Sequence, residues 1–227
     1  MAIVALVPGS DVGIAVIIIT IIIRIVLLPF SLSAARTQRA IKVLEPKIKD
    51  LKEKHKGNKE KEAVETLALY REARVNPFAS ILTMLIQIPV LLALYWVFSY
   101  EPFSAINTAR LYSFTPVPHT VSLQFLGLIS VAGKSLLLAF FAGATQFLQA
   151  HMALLGTMNP AHNSTQGDFQ KVIGMQLKYV FPFLIALISY TTSGAVALYF
   201  ITTNLAGAYQ EWHVRRKLDA EAAITYP

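Results

Sequence analysis

The sequence predicts an all-α integral membrane protein, with five transmembrane helices and a cytoplasmic helical hairpin between the first and second. Three observations carry that prediction. The chain is 55% hydrophobic with a mean hydropathy of +0.53 and only 15% charged, whereas soluble domains carry ~25% charged residues. Its apolar residues fall in blocks near the ~20 residues that a helix rising 1.5 Å per residue needs to cross ~30 Å of hydrocarbon. Its lysines and arginines collect in the segments that an odd number of spans would place on one side.

The first span is read at Val12 to Phe30, an apolar run interrupted by Arg24. Residues 31–77 follow, with twelve Lys/Arg against seven Asp/Glu. Ile41, Leu44, Ile48 and Leu51 recur at helical spacing, and His55 to Glu60 (HKGNKE) makes a turn. A second arm carrying Val64, Leu67 and Tyr70 runs back to Asn76-Pro77. Pro46 is expected to interrupt or kink the first arm.

The second span is Phe78 to Ser99. Residues 100–133, aromatic-rich and broken by Pro116 and Pro118, are expected at the outer interface as a short amphipathic helix followed by an extended stretch. The third span is Ser135 to Leu155, the fourth Val172 to Thr192 and the fifth Ala195 to Trp212. The last two are separated only by the turn TTSGA. If Lys178 marks an exit from hydrocarbon, the fourth span has ~14 apolar residues, or ~21 Å, and thins the bilayer around it.

Residues 1–13 carry no Lys or Arg, residues 100–133 only Arg110, and the tail carries Arg215, Arg216 and Lys217. Five spans place the 31–77 loop and the tail together in the cytoplasm and the N-terminus outside, so the expected location is the inner or plasma membrane. The start lacks a basic n-region, so either the chain inserts through its first span or an upstream segment is missing. The whole of 1–227 reads as one domain. Cysteine is absent, which excludes disulfides, thiolate chemistry, Cys-based zinc sites and a lipidated N-terminal Cys.

Arg24 lies about seven residues before the cytoplasmic exit, ~10 Å deep. A snorkelling arginine would account for it, but the other spans are polar at the same depth. Thr20, Arg24 and Ser31 share a face of the first span, and Ser80, Thr83 and Gln87 share one on the second. Gln146 and Gln149 close the third; Thr203, Asn204, Gly207 and Gln210 mark the fifth. The outer halves are almost pure hydrocarbon. Any one stripe could be interhelical glue. Four on one side point to a water-filled recess open to the cytoplasm, with Arg24 at its deep end. No acidic residue lies within a span, since Asp11, Glu101, Asp168 and Glu211 sit at edges or in loops, so Arg24 is expected to lack a counter-ion and to attract an anion from outside the chain.

Several pieces, in order, resemble the YidC/Oxa/Alb membrane protein insertases. They are RIVLLPF (Arg24 to Phe30), ARTQRAIKVLEPKIKDLKEK, NPFASILTMLIQIPVLLALY (Asn76 to Tyr95), TQFLQAHM and ALYFITTNLAGAYQEW. The resemblance covers nearly the whole chain. It implies that Arg24 is the groove arginine that attracts acidic segments of an incoming substrate, and that Gln87, Gln146, Asn204 and Gln210 help hydrate that groove. It also implies that nascent membrane proteins and the bilayer are the partners, with the Sec translocon, ribosomes or targeting factors as candidates for the hairpin and basic tail. Phe200 stands where members often carry Trp, and the lipidated Cys or large outer domain of some members is absent.

No cofactor, metal or nucleic-acid site is expected, and the chain is not read as an enzyme. It has no G-x-x-x-x-G-K-[ST], H-E-x-x-H or G-x-S-x-G. The alternative is a small secondary transporter or channel, whose inverted repeats and intramembrane carboxylates are not found.

Overall fold

The computed structural model describes residues 1–73, 75–76, 85, 88–90, 92–93, 96–97, 116–118, 120–154 and 175–225. Most of the second predicted span, with Thr83 and Gln87, lies outside the described residues, as do 100–115 and 155–174. The described chain is mostly helical: α1 (Ala2–Leu6), α2 (Val12–Lys54), α3 (Lys59–Glu72), α4 (Leu136–Leu154), α5 (Phe181–Thr191) and α6 (Gly194–Thr225). Two short strands, β1 (Gln124–Phe125) and β2 (Ile129–Ser130), precede α4. Two helices are long and apolar enough to cross a membrane, Val12–Ala34 and Leu136–Leu154, and Lys178–Thr191 is a shorter apolar helix.

The chain forms two compact units, Met1–Val26 with Leu91–His213, and Leu27–Val90 with Val214–Pro227. In the first, the start of α6 is buried on every side, with Ala195, Val196, Ala197, Leu198, Tyr199 and Phe200 all shielded, as expected of a central helix. Small residues let α4 and α5 approach closely: a Cβ on Gly143 would lie 3.0 Å from both Ala186 Cβ and the Pro182 carbonyl. A π-turn, Gln176–Val180, precedes α5. Pro182 lacks the N–H that would bond the Lys178 carbonyl, which favours the wider turn. Large apolar side chains on the outward faces remain exposed, among them Ile25, Val26, Phe140 and Phe183, as lipid-facing surface does.

At the start of α2 an unpredicted cap gathers distant segments. Asp11 is 5% exposed. Its Oδ1 accepts from Ile14 N–H at 3.1 Å and its Oδ2 from Leu126 N–H at 2.7 Å. One carboxylate thus caps the helix and holds the turn of the β1–β2 hairpin, in which Gln124 pairs with Ser130 and Phe125 with Ile129. Val12 N–H donates to Ser122 O, and Ala195 N–H to Val131 O, at 3.0 and 2.9 Å. The hairpin occupies the stretch where the sequence suggested extended chain.

In the second unit α2 continues through Pro29 and Pro46 to Lys54, so Pro46 does not interrupt the helix as expected. A turn with Gly57 at φ 99° leads to α3, where Asn58 accepts from Lys61 N–H at 3.0 Å as N-cap. The arms meet through Lys52–Glu62 (3.9 Å) and His55–Glu65 (2.8 Å), although the His55 N–H is not aimed to donate a good hydrogen bond.

Candidate functional site

β-Branched residues dominate the first turns of α2 and pack as a stiff apolar wall. Thr20 is 1% exposed within it, and its hydroxyl is satisfied by donating to Val16 O at 2.6 Å. One turn on, Arg24 is half-buried and its Nη2 donates to Thr203 O on α6 at 2.8 Å. Tyr199, a turn before Thr203 and 1% exposed, brings its phenol within electrostatic range of the guanidinium. Among the described residues no carboxylate pairs with Arg24, and its remaining N–H groups have no acceptor. Burying a charge this way is costly unless water or an anion completes its shell.

On α6 the polar residues divide. Thr203 and Asn204 are buried, and the Asn204 amide donates toward Ala142 O and Thr145 Oγ1 on α4, both at 3.3 Å. This is interhelical bonding. Gln149 lies across Gly207, where a Cβ would stand 3.0 Å from its Cδ and closer still to Nε2. Gln146, Gln149 and Gln210 are half-buried. Among the described residues none of these three amides bonds to protein, and none is sealed from solvent. Arg24, Thr203 and Tyr199 therefore form one cluster and Asn204, Ala142 and Thr145 another. Thr20 is satisfied within its own helix.

Sequence reasoning missed Tyr199 and Thr145. Tyr199 continues the Thr203–Gly207 stripe by one turn toward the helix start, so its i−4 spacing was the available signal. Phe200, the departure from the LYW pattern, is 8% exposed with its ring 5.4 Å from Tyr199. Among the described residues no three His, Asp or Glu side chains gather as metal ligands.

The model of the family described as 60Kd inner membrane protein matches residues 3–221. The chain belongs to this family. Relatives of the chain include the "Membrane protein insertase YidC" of Clostridium tetani, 30% identical over 198 residues, covering 87% of this chain and 79% of the relative. The protein of the same name from Fusobacterium nucleatum is 30% identical over 205 residues, 90% of this chain and 86% of the relative. The YidC of Ectopseudomonas mendocina is 26% identical over 210 residues, which is 92% of this chain but 32% of that longer protein. The motif-based resemblance to the YidC/Oxa/Alb insertases is thereby borne out.

Proposed function

We propose that this chain is a membrane protein insertase. It receives hydrophobic segments of nascent membrane proteins in a cytoplasm-open hydrated recess and releases them sideways into lipid. What carries the reading, beside family membership, is Arg24: a half-buried guanidinium with one helix carbonyl and no carboxylate among its described partners. The accessible amides of Gln146, Gln149 and Gln210 support hydration of the same half of the bundle, and Thr83 and Gln87 are proposed to join them.

A substrate's polar flank enters the recess, so it crosses only the remaining part of the bilayer without water. A carboxylate on that flank is attracted by Arg24 with about 1 kcal/mol at ~4 Å in bulk water, or about 4 kcal/mol at an effective dielectric of ~20. The apolar segment then partitions into lipid, and its transfer out of water drives the step. A fourth span that leaves the hydrocarbon at Lys178 would thin the bilayer locally.

In this proposal five spans place the N-terminus outside and the basic 31–77 hairpin and tail in the cytoplasm of a cell-membrane protein that acts as one unit without enzymatic chemistry. Sec, ribosomes or targeting factors would dock on those basic segments. The test is reconstitution of the chain alone in liposomes with a single-span substrate bearing an acidic outer tail. Arg24→Lys inserts it, whereas Arg24→Ala fails on it but still inserts a neutral-tailed version. Normal insertion of the acidic tail by Arg24→Ala would refute the electrostatic role.

A further inference from the structure

We propose that the β1–β2 hairpin is a membrane-inserted wedge. Its tip, Leu126-Gly127-Leu128, occupies the headgroup–acyl boundary of the leaflet at which α2 begins, and its partner there is lipid acyl chain. The inference rests on reading α2 and α4 as spans, and it is independent of the recess around Arg24.

The height of the tip is fixed by bonds to the starts of the helices. Leu126 N–H donates to the carboxylate that caps α2, at 2.7 Å. Phe125 packs on Gly13 so closely that a Cβ there would lie 2.6 Å from the ring Cδ2. The far side of the hairpin is tied to the α5–α6 turn through Gly194 N–H to Gly133 O and Ala195 N–H to Val131 O, both at 2.9 Å. The tip therefore sits level with the first turns of the apolar helices. Lys134, with its ammonium 5.9 Å from the Tyr190 ring centroid, supplies at the same end the cation and aromatic that mark a membrane interface.

The side chains at the tip suit lipid and little else. Leu128 is 81% exposed, the most of any large apolar residue among those described, and Leu126 is 61% exposed. Leu126 has φ 53°, a left-handed conformation that Gly or Asn adopts more readily. Turn chemistry therefore does not explain a leucine there, and neither does packing within the chain. Solvated tips favour Gly, Asn, Asp and Ser. The apolar surface also continues into the first turn of α4, where Leu136 and Leu137 are exposed.

Because the chain has no cysteine, a nitroxide can be placed singly at Leu128→Cys in the full chain reconstituted in liposomes. Collision rates with oxygen and with water-soluble nickel chelate are then compared with labels at Gln124→Cys, at the hairpin base, and Leu137→Cys, on α4. The expected result is an oxygen-to-nickel ratio at 128 several-fold above that at 124 and approaching that at 137. A water-like ratio at 128 beside a lipid-like one at 137 would overturn the proposal and indicate a tip kept for a protein partner. Water-like ratios at both positions would overturn the reading of α4 as a span as well.

Discussion

Removing the Asp11 carboxylate should uncouple the β1–β2 hairpin from the helices beneath it. Asp11→Ala deletes a 3.1 Å acceptor for Ile14 N–H and a 2.7 Å acceptor for Leu126 N–H. The lost cap costs α2 about 1 kcal/mol. A hydrogen bond to a charged group contributes about 1.5–3 kcal/mol when buried. Leu126 is mostly exposed, so water replaces part of that bond and about 1–2 kcal/mol is the better figure. That lowers the local opening free energy of the hairpin and should speed amide exchange over 122–131 by about 5- to 30-fold, while the buried start of α6 stays protected. Asp11→Asn has one acceptor to offer, so it should protect either the first turn of α2 or the hairpin, but not both. Hydrogen–deuterium exchange on the chain in nanodiscs reads each segment separately. Unchanged protection of 122–131 in Asp11→Ala would refute the coupling.

Gly143→Leu should separate α4 from α5, because even a Cβ there meets the Pro182 carbonyl backbone at 3.0 Å. Overpacking of this kind costs about 1–3 kcal/mol, seen as a lower thermal midpoint in detergent, with Gly143→Ala, which adds only the Cβ, at the low end of that range. Gly57→Ala places a side chain at φ 99° and should destabilise the α2–α3 turn by about 1 kcal/mol; limited proteolysis should then cut faster near residues 55–60. Cysteines at Gln146 and Gln210 should react with membrane-impermeant thiol reagents from the cytoplasmic side only, while one at Phe183 on the exposed face of α5 should react from neither. Silence at 146 and 210 would favour dry helix–helix packing over a wet recess.

What the sequence made legible was governed by short-range rules. Apolar run length found Leu136–Leu154, Gly57 and Asn58 marked the turn into α3, and TTSGA marked the break at Ser193 between α5 and α6. Long-range partners were invisible. Two-residue strands carry no period to detect, and Asp11 finds Leu126 more than a hundred residues away. Of the two outcomes expected at Pro46, interruption or a kink, interruption fails because a helix can give up one hydrogen bond where flanking turns persist. At the site, residue type could not separate Asn204, whose amide is spent on α4, from Gln146, whose amide is not.

If acidic substrates bind at Arg24 as proposed, the Thr203 carbonyl that receives it sets how they are met. An incoming anion would find one guanidinium N–H held by that carbonyl at 2.8 Å and the other donors of the fork open to it. The held bond, a charged donor on a neutral acceptor, contributes about 1.5–3 kcal/mol and need not be surrendered for an anion to bind. In the proposed recess the carbonyl would act as a tether that keeps the guanidinium aimed between passengers.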